Sequence, residues 1–192
     1  MKLRKYMMTV LLLLTVFLIS GCLGRPVATS PIVAGKWNEG IFTNTWSNIT
    51  FQLPAGFNVV TQATSVPQQV SDFTIANDDN SIIVSLTYID VSSGDSRDYS
   101  AEDYLNMVKE QLAQNPNRTR TFQENFESMT IAGREYAVMR TTFFNNDNPT
   151  NVILQDGYAH RFHNTMILFL TIYPEDAKDF VESFLESIEQ AQ

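Results

Sequence analysis

Thr165-Met166-Ile167-Leu168-Phe169-Leu170-Thr171-Ile172-Tyr173 is the stretch on which the fold turns. In an extended chain Met166, Leu168, Leu170 and Ile172 fall on one side, and Ile167, Phe169 and Tyr173 on the other. A strand that is apolar on both faces needs cover on both, so this is a central strand with a layer above and a layer below. Directly after it, Pro174-Glu175-Asp176 sets a proline near a first helical turn and acids at the positive end of a helix dipole. Ala177, Phe180, Val181, Phe184, Leu185 and Ile188 follow at helical spacing and predict a helix over about residues 175–189, closing over one face of the sheet.

Working back towards the N-terminus, His163-Asn164 turns the chain between this strand and another within Asn151 to Phe162. The polar loop Asn145-Asn146-Asp147-Asn148-Pro149 separates that pair from strands at Phe122 to Ile131 and Arg134 to Phe144, which meet at Ala132-Gly133. Gly133 supplies the positive φ that such a tight turn requires. Ser100-Ala101-Glu102-Asp103 has the form of a capping box, and Ala101, Tyr104, Leu105, Val108 and Leu112 continue it as a helix over about 101–114, stopped at Asn115-Pro116. Val70 to Ala76 and Ser81 to Val91 read as a hairpin about Asn77-Asp78-Asp79-Asn80, the second strand again apolar on both faces. Within Trp37 to Pro54, Ile49, Phe51 and Leu53 alternate with Thr50 and Gln52, a half-buried strand broken by Pro54-Ala55-Gly56. One early and one late helix can cover the two sides of the sheet. The expected class is α+β: a mostly antiparallel sheet with helices on both faces, an α/β/α sandwich.

The N-terminal segment has a different character. Lys2, Arg4 and Lys5 precede an apolar run from Tyr6 to Ile19, the layout of a signal peptide. As a helix this run spans about 21 Å, short of the ~30 Å hydrocarbon core of a bilayer. It is followed by Leu18-Ile19-Ser20-Gly21-Cys22, which holds the chain's one cysteine and resembles the lipobox of bacterial lipoproteins. The resemblance implies a diacylglyceryl group on the Cys22 thiol, cleavage between Gly21 and Cys22, and further acylation, as by palmitate, at the new amino terminus. Two or three chains anchor lastingly where one binds only marginally. The expected domain plan is a leader at 1–21, a lipidated cysteine and tether at 22–36 containing Pro26, Pro31 and Gly35, and one globular domain at 37–192. The expected location is the extracytoplasmic face of the cell membrane.

Removing residues 1–21 lowers the basic count from 13 to 10 against 21 acids, a formal charge of −11 on 171 residues. That balance opposes nucleic acid and anionic head groups. A single cysteine excludes an internal disulfide, so stability rests on packing.

The order of pieces, with Phe42-Thr43-Asn44 and then Ile49-Thr50-Phe51-Gln52-Leu53-Pro54-Ala55-Gly56-Phe57 ahead of strands, a helix, two hairpins and a final helix, resembles the PsbP family of photosystem II extrinsic proteins and related bacterial lipoproteins over about residues 38–190. Phe57 stands where that family more often has tryptophan. The resemblance implies a compact accessory domain that helps assemble or stabilise a larger complex, with metal bound in some plant members. None of the family's metal-binding residues matches a position here.

Residues suited to chemistry are few. Cys22 is committed to lipid, no Gly-x-Ser-x-Gly elbow accompanies His160 or His163, and no catalytic residue is assigned. A spacing of three puts His160 and His163 on opposite faces of a strand, so only the turn at His163-Asn164 would join them, with Asp156, into a metal site. Otherwise they are a strand-end and a turn histidine. The loops 77–80 and 145–148 offer calcium-type oxygens without EF-hand spacing. Trp37 and Trp46 suit either an aromatic platform or edge packing. The expectation is a surface-tethered, non-enzymatic binding or assembly module, attached through Cys22, with an envelope protein as partner, no cofactor and no nucleic acid. The alternatives are a receptor for a small ligand or divalent metal ion and, third, an envelope hydrolase.

Overall fold

The computed structural model describes residues 32–114, 118–145 and 148–191; Gly21, Cys22 and the leader lie outside them. Among the described residues the chain forms two antiparallel sheets and two α-helices. The small sheet comprises β1 (Lys36–Asn38), β2 (Ile41–Asn44) and β3 (Ile49–Gln52), paired in that order. The large sheet is built from β4 (Phe57–Thr61), β5 (Thr64–Val66), β6 (Gln69–Asn77), β7 (Ile83–Asp90), β8 (Arg118–Phe122), β9 (Glu127–Ile131), β10 (Arg134–Asn145), β11 (Asn148–Phe162) and β12 (Thr165–Pro174). Its order is β4-β6-β7-β12-β11-β10-β8, with β5 extending the β4 edge along β6 and β9 extending the β8 edge along β10.

The doubly apolar stretch is central, as its pattern requires: β12 pairs with β7 on one side and β11 on the other. Met166 and Leu168 face α1 (Ala101–Ala113), in a layer with Tyr104, Leu105, Val108 and Leu112. Ile167, Phe169 and Tyr173 face the opposite layer, built by α2 (Lys178–Glu186) together with the small sheet through Phe42, Ile49, Phe51, Val181, Phe184 and Leu185. Each such side chain, fully buried, contributes about 1.5–3 kcal/mol over its exposed state. The α+β class and the helix on each face hold. The second face carries a small sheet as well as a helix, because the segment read as one strand within 37–54 folds back twice, at Glu39-Gly40 and between Asn44 and Ile49.

Other elements follow their local chemistry. Ser100 accepts from the Asp103 N–H (3.1 Å), and the Ser100 N–H donates to Asp103 Oδ2 (2.9 Å), the reciprocal capping box. Ala132 and Gly133 both have positive φ, +48° and +68°, as a tight hairpin between β9 and β10 demands. The strand expected over 122–131 is β9 alone. The chain before it forms β8, an edge strand of polar sequence whose Arg120 Nη1 donates to the Leu112 carbonyl at the end of α1 (3.0 Å). The last helix is shorter than expected. A 3-10 turn (Glu175–Ala177) leads into α2, which stops at Glu186. There the Ser187 hydroxyl donates to the Phe184 carbonyl, and Glu189 exchanges two backbone hydrogen bonds of 2.9 Å with Thr50.

Candidate functional site

Buried polar groups collect at two places. In the first, Asp72 on β6, 2 % exposed, accepts from the Gly35 N–H (2.7 Å) and from Asn44 Nδ2 (2.7 Å), and the same Asn44 nitrogen lies within bonding distance of the Val33 carbonyl (2.9 Å) and the Tyr88 hydroxyl (3.1 Å). Ser47 completes the cluster through Tyr88 (2.7 Å), and Arg134 Nη1 donates to the Ser47 carbonyl (2.5 Å). Burial holds the Asp72 carboxyl above the ordinary range against these donors, and pushes the Tyr88 hydroxyl up. The cluster spans the small sheet, the large sheet and residues 33–35, so it acts as a clasp. Residues 32–36, on the tether side of the boundary expected at 36/37, are thereby held against the fold, with Ile32 and Ala34 packed on the core. A Cβ at Gly35 would run into Cζ of the Phe42 ring and stand 2.6 Å from its Cε2 and 3.0 Å from Asn44 Cβ, so the close approach requires glycine.

In the second cluster Arg140 on β10 reaches three carboxylates: Asp156 Oδ2 (2.9 Å), Glu127 Oε2 (2.8 Å) and Glu182 Oε1 on α2 (2.6 Å). Asp156 is 1 % exposed and also takes the Tyr173 hydroxyl proton as a hydrogen bond of 2.5 Å and the Thr141 N–H (3.4 Å). Burial raises the Asp156 carboxyl, opposed by Tyr173 and Arg140. Glu127 and Asp156 tie Arg140 to the neighbouring strands β9 and β11, and Glu182 ties the sheet to α2, so the network serves the fold.

The residues singled out from the sequence separate accordingly. His160 Nδ1 lies 2.8 Å from the Glu135 carbonyl, its ring against Tyr136, while His163 sits exposed in the β11–β12 turn with φ +54° against Phe162. Asp156 belongs to Arg140, and the turn does not bring the three into one site. Among the described residues no group of three or more His, Cys, Asp or Glu is placed to hold a metal ion. Trp37 packs on Phe42, Phe51 and Phe73, and Trp46 packs edge-on against Tyr88 and Phe162. Both are packing residues rather than a platform. The loop at 145–148 lies partly outside the described residues. The loop at 77–80 is a hairpin turn bound to itself: the Ser81 N–H donates to Asp79 Oδ1 (2.9 Å) and the Ile82 N–H to Asn77 Oδ1 (2.9 Å).

That turn borders an open apolar groove among the described residues. Phe180, counted in the buried stripe of the last helix, is instead 42 % exposed and stacks on Phe57 with ring centroids 5.5 Å apart and planes 20° from parallel. With Ala55, Gly56, Asn77, Asp78, Asp79 and Ile82 these rings line an open groove of about 430 Å³. Phe180 lies in the first turn of α2 over Phe57 on β4, the edge strand, whereas Val181, Phe184 and Leu185 are buried. Asp78 Oδ1 accepts from Asn58 Nδ2 (2.9 Å), and the bonds from Ser81 draw the Asp79 carboxyl below its usual range. The chain enters the fold near Asp72 and Tyr88. The groove lies at the other end of β6, about 16 Å further along at ~3.3 Å per residue.

No protein-family model matches the chain, and no curated protein does. Among solved structures, the chain is similar to cyanobacterial PsbP (CyanoP) from Synechocystis sp. PCC 6803, with a TM-score of 0.53 and 18% identity over 90% of this chain and 99% of that one. This makes the fold PsbP-like. Two further structures match at lower TM-scores. One is a Bacteroides thetaiotaomicron VPI-5482 protein (0.45, 12% identity), where 76% of this chain covers 46% of that one. The other is LpqN, involved in cell envelope biogenesis of Mycobacterium tuberculosis (0.42, 11% identity), with 72% of this chain covering 80% of that one. No helix among the described residues is long and apolar enough to cross a membrane.

Proposed function

We propose that this protein is a surface-tethered, non-enzymatic binding or assembly module of the bacterial cell envelope, attached through lipid on Cys22, with the groove at Phe57, Ile82 and Phe180 as its docking face. The observation that carries the reading is the exposed Phe180 ring, stacked on Phe57 at the end of the sheet remote from the chain's entry. Large apolar rings on open grooves are where protein interfaces concentrate their binding energy. An open groove suits a protein segment, whereas small-molecule sites enclose most of their ligand. The PsbP-like fold supports the reading as an analogy of architecture.

The test is a photo-crosslinking amino acid placed at 180 or, as a control at the entry end, at Val66, which is 46 % exposed. Irradiated cells should yield a discrete adduct with an envelope protein from position 180 and not from 66. The same pattern from both positions, or no adduct from 180, would refute the assignment.

A further inference from the structure

We infer that the groove takes a cationic segment of its envelope partner, an apolar side chain flanked by lysine or arginine, with the apolar group over Phe180, Phe57 and Ile82 and the cations against Asp78 and Asp79. The inference rests on the docking role proposed above and adds the chemistry of the occupant.

The charges that line the groove are of one sign. Asp78 and Asp79 form the rim on the β6–β7 turn, and Glu175, Asp176 and Asp179 crowd the approach to α2 on the same end of the fold. The lysine among them, Lys178, faces along the helix towards Glu182 (3.9 Å) and does not line the groove. A phenylalanine face is itself attractive to a cation at close range. Apolar surface supplies the affinity, and the flanking carboxylates select sign and speed encounter.

The same charges argue against other occupants. A second copy carries the same acidic rim on a chain of formal charge −8, or −11 once residues 1–21 are removed, and anionic lipid meets the same repulsion. The tether's own Arg25 stands three residues after Cys22, so the lipid anchor proposed there holds it at the membrane.

The experiment uses the full lipoprotein in mild detergent and a fluorescein-labelled peptide, Leu-Lys-Phe-Lys-Leu, followed by anisotropy. Two further peptides serve as controls, one with glutamate in place of lysine and one with serine in place of leucine and phenylalanine. The lysine peptide should bind at least tenfold more tightly than either control. Phe180→Ala should weaken it about tenfold or more. Asp78→Asn with Asp79→Asn, which keeps the acceptors for Asn58 and Ser81, should weaken it severalfold and flatten its salt dependence. Equal binding of the glutamate peptide, equal binding by the double asparagine variant, or no binding of the lysine peptide would overturn the inference. Self-association abolished by Phe180→Ala would overturn it in favour of a second copy. If the peptide fails while the position-180 adduct forms, the docking role stands and only the cationic class falls.

Discussion

Replacing Arg140 by methionine tests the interior most sharply. Methionine keeps much of the stem's packing and removes the charge that stands between Asp156, Glu127 and Glu182. Glu127 is 44 % exposed, so its pairing is worth well under ~1 kcal/mol. Asp156, at 1 % exposure, is the expensive loss: removing one partner of a buried pair costs about 3–5 kcal/mol. Tyr173 and the Thr141 N–H still bond the carboxylate, which places the expectation at the lower end, about 3 kcal/mol near neutral pH. The sign of the pH dependence follows from the carboxyl. Burial holds Asp156 above its unfolded value even with Arg140 present, and without Arg140 it rises further. A carboxyl raised in the folded state takes up a proton on folding, so its contribution falls as pH rises from the unfolded to the folded value. The variant should therefore approach wild type in mild acid and fall away from it towards neutrality. Urea unfolding followed through Trp37 and Trp46 reads both curves. Asp156→Asn in the same background should restore at least half of the loss near neutral pH. A cost below about 1 kcal/mol at neutral pH, or a gap between the curves that does not change with pH, would refute the account.

Three further outcomes are expected. Asp72→Ala leaves the Gly35 N–H and Asn44 without their shared acceptor and should cost about 2 kcal/mol, with faster proteolysis around residues 32–36 as the specific signature. Gly35→Ala drives a methyl into the Phe42 ring and should cost about 1–3 kcal/mol by thermal unfolding; wild-type stability would show that the segment yields instead. Cys22→Ala should release the protein from the membrane fraction or leave an unprocessed precursor, and undiminished fatty-acid labelling of that variant would remove Cys22 as the anchor.

The parts of the fold that announce themselves in the sequence are those where one physical effect dominates. The strand at 165–173 is apolar at nearly every position, so burial on both faces is its natural solution, and Ser100 with Asp103 satisfies the first turn of α1 from within four residues. Strands whose partners dictate them are silent. β8 is Arg-Thr-Arg-Thr-Phe, an edge strand defined by pairing with β10, and β1 and β2 exist because the chain folds back on β3. The late helix overran its true end because Ile188 continues the apolar period although its backbone has already turned towards Thr50. The candidate site was hidden for a related reason. Phe180 fits the buried stripe by spacing, and only its place over the edge strand β4 sets it apart. Asp72 stands unmarked within a strand, and Asp156 suggests from the sequence only a partner for His160 and His163; their actual partners stand 28 residues back at Asn44 and 16 residues back at Arg140, separations with no local signature.

The clasp at Asp72 bears on how the domain carries force. A pull from the N-terminal side arrives at Ile32 and Val33 before it reaches β1, a three-residue strand that alone would peel from β2 one bond after another. Asn44 and Asp72 grip the Val33 carbonyl and the Gly35 N–H from two different sheets, so the load passes into β2 and β6 together and must shear a buried set of hydrogen bonds at once. The short β1 is thus spared the tension of a tether that pulls on the residues before it.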